Sequence, residues 1–173
     1  MATHSFKLYK SLIYETVKNE THITAHATRA TESNAAELAY HEEAGDETYH
    51  ERKLERELYA SLDKIKAELI GYLDGNGVIK SEFGSGDASD EITFTIELNS
   101  RYNTSYLKPL ADLTSKYVED NMLFEWWTAL NQNEAKVYAE HTELDRQAIL
   151  KCFIKNAPTA SEKSYADVTS SVS

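Results

Sequence analysis

Histidine and carboxylate side chains are concentrated between residues 22 and 51 of the 173-residue chain. Imidazole nitrogens and carboxylate oxygens are the ligands with which proteins hold zinc and related metal ions. His22 and His26 are spaced i, i+4, so a helix would present both imidazoles to one metal ion. The whole group consists of His22, His26, His41, Glu42, Glu43, Glu47, His50 and Glu51.

The spacing of the other members of this group does not complete a known metal motif. Glu47 and His50 have the Glu-x-x-His spacing of di-iron helical bundles, which need that motif twice, whereas it occurs once here. A zinc-protease pattern begins at His41, but Gly45 stands where its second histidine is required. We therefore expect an acidic, solvated face that includes some histidines, with no metal and no cofactor. The alternative is a helical bundle that binds a metal ion through His22, His26, His41, Glu47 or His50.

No other motif in the sequence indicates catalysis. A phosphate-binding loop requires Gly-Lys-Ser or Gly-Lys-Thr, and Ile79 precedes Lys80 in the glycine-rich segment. A calcium loop starting at Asp74 would require glycine in place of Ile79. Cys152 lies in an apolar helical stretch, which favours a buried structural thiol. We expect no catalytic residues and no enzymatic activity.

Length and charge favour one acidic domain. The chain carries 29 acidic and 18 basic residues, a net charge of -11, which argues against a surface built to bind nucleic-acid phosphates. A single cysteine excludes an internal disulfide. No apolar run approaches the roughly 20 residues of a membrane helix, and the first residues lack the features of a signal peptide. We expect a soluble protein without membrane contact.

Several stretches of the chain have apolar residues at helical spacing. They predict helices over residues 5–18, 35–44, 46–73 and 109–154, the last with a break at 131–133. Residues 19–34 form either an exposed helix or a segment ordered by a partner. The clearest stripe consists of Leu54, Leu58, Leu62, Ile65, Leu69 and Leu73. The last helix has Asp120 as a polar gap, and its stripe is expected to continue through Val137, His141, Leu144 and Ala148.

Residues 91–98 alternate polar and apolar side chains, which predicts a strand with one buried face. Residues 78–83 are a second possible strand, and a two-stranded hairpin must pack against helices or another chain. We therefore predict a mainly α fold, a bundle of long amphipathic helices with a small β-hairpin inserted in the middle. A single domain is expected over residues 1–155, with the insertion around 74–99, and a polar, flexible tail over 156–173.

Four apolar residues are candidates for an interface. Phe94 and Ile96 lie on the strand face that needs to be covered. Trp126 and Trp127 are adjacent, so they point about 100° apart on a helix and cannot both face one core well. One of them is expected to face another subunit or another helix layer, and packing of both in the core of the chain is an equal alternative.

The predicted elements follow one another as an amphipathic helix, a Leu-striped helix, a short alternating strand and an aromatic helix. Their characteristic segments are Leu38-Ala39-Tyr40-His41-Glu42-Glu43-Ala44-Gly45-Asp46-Glu47, Met122-Leu123-Phe124-Glu125-Trp126-Trp127, Asn133-Glu134-Ala135 and Tyr138. In these segments and their order the chain resembles small virion proteins of tailed phages of gut Bacteroidales, the crAss-like group among them. The resemblance covers residues 6–153.

The resemblance implies a head–tail connector or ring protein in the virion neck, with a mainly helical fold and no catalysis. It implies a homo-oligomeric ring of about a dozen copies around the DNA exit channel. The implied partners are the portal protein and other neck and tail proteins, with DNA only as passing cargo. The implied location is the virion, after synthesis in the host bacterial cytoplasm. A soluble phage adaptor or chaperone is a further alternative.

Overall fold

The chain places an N-terminal strand ahead of its first helix. The structure is a computed structural model that describes residues 2–30, 35–45, 47–70, 80–81, 90–98 and 102–154. The first elements in chain order are β1 (Ala2–Tyr9), α1 (Lys10–Arg29), α2 (Ala35–Glu42) and α3 (Thr48–Ile70). They are followed by β2 (Lys80–Ser81), β3 (Glu91–Leu98), a 3-10 turn (Thr104–Tyr106), α4 (Leu107–Thr128) and α5 (Gln132–Ile154). The prediction of a mainly helical fold with a small hairpin in the middle is confirmed.

The sheet has the order β1-β3-β2, with β3 antiparallel to both of its neighbours. The hairpin of β2 and β3 is the predicted one, and the alternating residues of β3 are buried on one face as expected. The third strand was not predicted. It pairs Phe6 with Phe94 and Leu8 with Ile92, and the rings of Phe6 and Phe94 stack with 5.0 Å between centroids.

The predicted helix over residues 5–18 is therefore wrong at its start, because residues 5–9 belong to strand β1. Residues 2–9 alternate exposed and buried positions, and they cover an edge of β3 that would otherwise present unpaired backbone groups. The helix begins at Lys10 instead and continues to Arg29. Of the two alternatives for residues 19–34, a helix is the one found over 19–29.

The Leu-striped helix α3 is confirmed. Its apolar seam is buried at Leu54, Leu58, Leu62, Ile65 and Leu69. A polar contact crosses from this seam to α4, because the Asn121 side-chain amide donates a 2.7 Å hydrogen bond to the Ser61 hydroxyl, and both residues are buried. A buried, satisfied polar pair of this kind fixes the register of two helices.

Helices α4 and α5 form an antiparallel hairpin that breaks where it was predicted to break. The Asn131 side-chain oxygen accepts hydrogen bonds from the backbone N–H groups of Asn133 and Glu134, so Asn131 caps the start of α5. The predicted stripe on α5 has the right period but the wrong phase. Val137, His141 and Leu144 are exposed, and the buried positions are Ala135, Tyr138, Asp145, Ile149, Leu150, Cys152 and Phe153.

Two predictions lie outside the described residues. These are the end of the stripe at Leu73 and the tail over 156–173. Cys152 is buried near the end of α5, as expected for a structural thiol.

Candidate functional site

The four predicted interface residues lie in the core of the single chain. Phe94, Ile96 and Trp127 have no exposed surface, and Trp126 is 3% exposed. The apolar face of β3 is covered within the chain, since its apolar side chains are buried and α4 packs against the neighbouring strand β1. Within the single chain these four residues therefore have a core role, and their part in an interface stays a prediction.

The two tryptophans do face different parts of the chain. Trp126 donates its indole N–H to the Glu42 carbonyl at 2.8 Å, and the Lys53 ammonium lies 4.2 Å from its ring centroid. Trp126 therefore ties α4 to the end of α2 and to α3, the other helix layer that the sequence suggested. Trp127 is fully buried, and its indole N–H has no hydrogen-bond partner within the described part of the chain.

The histidines of the N-terminal cluster separate into two groups. His22 and His26 share one face of α1, as their spacing predicted, and the carboxylate beside them is Glu43, which follows α2. A Glu43 oxygen hydrogen-bonds Nδ1 of His22 and lies 3.8 Å from Nε2 of His26. The sequence named all three residues but gave no signal that Glu43 rather than Glu47 would be the partner.

Three further residues of the cluster line a groove of about 490 Å³ next to this triad. Its walls include His41, Glu47 and His50, and Glu43 is shared between the groove and the triad. Nδ1 of His50 accepts a 3.0 Å hydrogen bond from the Gly45 backbone N–H, which engages that nitrogen in holding the connection between α2 and α3.

Glu43 is held by contacts on both sides of it. The residue before it, Glu42, accepts the Trp126 indole N–H at its carbonyl, and its carboxylate forms an ion pair with Arg29. The residue after it, Ala44, donates its backbone N–H to the Thr21 hydroxyl at 3.0 Å, and Thr21 is fully buried. The backbone of Glu43 is thus fixed against α1 and α4.

Two carboxylates are buried between α4 and α5 next to a lysine that is itself exposed. The Lys116 ammonium lies 3.2 Å from both Asp120 and Asp145, which are 7% and 6% exposed. Burial and the nearby Asp145 carboxylate raise the pKa of Asp120 to about 6, although Lys116 opposes the shift. The sequence predicted Asp120 as a polar gap in the seam and missed Asp145, because α5 was given the wrong phase.

The outer face of α5 exposes apolar side chains at a regular interval. Val137 and Leu144, seven residues apart, are 45% and 63% exposed. A seven-residue interval keeps side chains on nearly the same side of a helix. His141 lies between these two residues on this face, and Ala148, which is half-buried, follows four residues after Leu144. We call this set the α5 outer face (Val137, His141, Leu144 and Ala148).

Comparison with family models, with curated proteins and with solved structures finds no match to the chain. Among the described residues, no helix combines the length and the apolar character needed to cross a membrane.

Proposed function

We propose that the chain is a structural, non-enzymatic protein of a tailed-phage virion, a neck or ring connector that links the portal to the tail. The resemblance of its segments to small virion proteins of Bacteroidales phages supports this assignment. The mainly helical fold is the one that the resemblance implies. The ring would contain about a dozen copies, with the portal protein and other neck and tail proteins as neighbours.

The observation that carries the proposal is the α5 outer face. Single exposed apolar residues are common on protein surfaces, but a row at heptad spacing is typical of a helix that packs against a further helix. The core-facing side of α5 already packs on α4, so this second apolar row has no cover within the described part of the chain. A second copy of the chain is the partner that the connector assignment requires.

A ring places a condition on this contact. A closed ring needs a heterologous interface, in which one surface of a copy contacts a different surface of the next copy. The α5 outer face of one copy would therefore pack on another surface of its neighbour rather than on the same face. The predicted interface residues Phe94, Ile96, Trp126 and Trp127 would support the fold behind this contact.

The net charge of -11 fits a channel through which DNA passes without being held. A surface that binds DNA supplies lysines and arginines to the phosphates, and affinity grows with their number. An acidic wall repels the duplex and lets it move.

The experiment is a mass measurement by light scattering behind a sizing column, with negative-stain images of any large species. We expect rings for the natural chain and monomers for the double variant Val137→Glu/Leu144→Glu, because charges on the α5 outer face oppose its burial. Both residues are exposed, so the variant should stay folded. Leu12→Glu is the matched control, since Leu12 is 58% exposed on α1, and it should leave the mass unchanged.

Loss of rings in the Leu12→Glu control, or rings that persist in the double variant, would contradict the role of the α5 outer face. The virion assignment is tested separately by protein quantification in purified phage particles. A copy number that matches the portal supports the connector. Absence from particles would favour the soluble adaptor or chaperone.

A further inference from the structure

We propose that His22, His26 and Glu43 bind a divalent transition-metal ion, with zinc as the ion that their donor atoms suit best. The site does not depend on the connector assignment, because it involves none of the residues of the α5 outer face. It joins two parts of the chain that the sequence separates, helix α1 and the connection between α2 and α3.

The three side chains converge without help from an ion. Their ligand atoms all lie within 4.8 Å of one another, and the two imidazole rings are 4.4 Å apart between centroids. The ligand atoms of a tetrahedral zinc ion lie about 3.3 Å apart, given bond lengths of about 2.0 to 2.1 Å. The observed 3.8 Å between His26 Nε2 and the Glu43 carboxylate is within a small side-chain rotation of that value.

Glu43 is the residue of the triad that the fold already positions before a metal ion binds. Its side chain is 18% exposed, whereas those of His22 and His26 are 60% and 44% exposed. Thr21 fixes the backbone directly after Glu43, and Thr21 is the residue next to His22 on α1. The same contact therefore positions the carboxylate and the first imidazole relative to each other, which lowers the cost of ordering the ligands on binding.

The donor set decides the class of ion. Calcium and magnesium prefer oxygen ligands throughout, so two imidazoles disfavour them. Two histidines and one carboxylate form a protein ligand set that zinc accepts, with its remaining coordination position filled by water. The exposed imidazole edges leave room for that water and for entry of the ion.

Binding would replace the hydrogen bond between His22 and Glu43. In the metal-free chain, Nδ1 of His22 and the Glu43 oxygen are joined by a hydrogen bond and its proton. A metal ligand must give up that proton, so zinc takes its place between the two atoms and binding becomes weaker as pH falls. The bound ion then connects α1 to the α2–α3 connection more firmly than the hydrogen bond does.

The test is a calorimetric titration of zinc into the full chain, which carries no affinity tag. A titration with cobalt, detected by its absorption, is a second probe of the same site. We expect one zinc ion per chain and a rise in Tm with zinc. His26→Gln and Glu43→Gln should each weaken zinc binding by more than the roughly 10- to 100-fold that loss of an outer-shell partner costs. His41→Gln is the matched control, an exposed histidine of the neighbouring groove, and it should bind zinc like the natural chain.

Three results would overturn the proposal. One is a natural chain that shows neither heat of zinc binding nor cobalt absorption. His22 and Glu43 would then form only a hydrogen bond, with His26 beside them. Another is unchanged zinc affinity in both His26→Gln and Glu43→Gln. The last is an equal loss in His41→Gln, which would place the ion in the groove. Repeating the titration on the Val137→Glu/Leu144→Glu variant keeps the result separate from that of ring assembly.

Discussion

At the scale of single residues, two buried carboxylates between α4 and α5 form ion pairs with the same lysine. Lys116 contacts Asp120 and Asp145, and a single positive charge cannot compensate both carboxylates when both are ionised. Burial and the neighbouring carboxylate raise the pKa of Asp120 to about 6, so Asp120 is protonated over a range where an ordinary aspartate has lost its proton. In that form it can donate a hydrogen bond to Asp145.

This shift predicts a pH-dependent effect of Asp120→Asn. The folded state binds the Asp120 proton more tightly than the unfolded state, so the free energy of unfolding of the natural chain falls as pH rises from about 4 to about 7. Asparagine keeps a donor for Asp145 and cannot ionise. We therefore expect the free energy of unfolding of the variant, relative to that of the natural chain, to rise by about 1 to 3 kcal/mol between pH 4 and pH 7. Urea unfolding across the range measures it.

Asp63→Asn is the control for this prediction, because the Asp63 side chain is 74% exposed on α3. It should show no comparable pH-dependent difference from the natural chain. A difference in unfolding free energy that does not change with pH would contradict the raised pKa of Asp120. A loss in Asp120→Asn that grows as pH rises would mean that the ion pair with Lys116 outweighs the repulsion between the two carboxylates.

At the scale of elements, the junction of β1 and α1 is held by a residue that is distant in sequence. Asp90 lies just before β3, and its backbone carbonyl accepts the Lys10 N–H at 2.9 Å. Its carboxylate accepts the Ser11 backbone N–H at 2.7 Å and the Ser11 hydroxyl at 2.8 Å. Tyr9, the residue in the local cap position, makes no side-chain cap bond. Asp90 thus caps α1 in place of a local residue.

We expect Asp90→Ala to lower the free energy of unfolding by about 1 to 2 kcal/mol. The change removes a cap for the first turn of α1 and a negative charge near the positive end of its dipole. Thermal or urea unfolding measures the loss. Asp112→Ala, at an exposed position on α4, is the matched control and should change stability by less than about 0.5 kcal/mol. Equal losses in the two variants would contradict the capping role.

The elements that could be predicted correctly are those in which the apolar residues repeat with one period over the whole length of the element. Four alternating apolar residues identified β3, and a long stripe identified α3, because each pattern repeats often enough to exclude the other period. β1 was missed because Phe6 and Tyr9 also fit the helical spacing that continues through Ile13, and the strand that decides between the two periods lies more than 80 residues away. Propensity within a short window cannot supply that pairing.

The same reasoning explains which parts of the candidate sites were missed. The i, i+4 pair of His22 and His26 could be predicted, since helical spacing is a local property. Glu43 could not be identified as their partner, because its position depends on Thr21 and on Trp126 contacting the residues around it. The outer face of α5 was predicted as a buried stripe because Asp145, a charged residue, takes one of the buried positions.

At the scale of the whole molecule, one hydrophobic core joins the sheet to the helices. Residues of β1, β3 and all five helices contribute to a single cluster of buried side chains. The N-terminal strand is therefore part of the core, and the elements are not divided between two cores. This agrees with the length of the chain, which suits one core.

The net charge of -11 also predicts how assembly should respond to salt. Neighbouring copies repel each other through their negative charge, while contact through the α5 outer face buries apolar side chains. Salt screens the charge repulsion and has little effect on apolar burial, so it should favour association. Raising NaCl from about 20 to about 300 mM shortens the screening length from about 20 to about 6 Å. We expect self-association to strengthen about tenfold, measured by light scattering over a concentration series.

The charge can be removed as a control on this prediction. The isoelectric point of the sequence is about 5.0, and near that pH the mutual repulsion of the copies vanishes. The salt dependence should therefore disappear near pH 5 if repulsion between copies is its cause. Self-association that instead weakens with salt at pH 7 would mean that charge pairs hold the copies together, because screening weakens attraction between opposite charges. The contact would then lie away from the apolar row on α5.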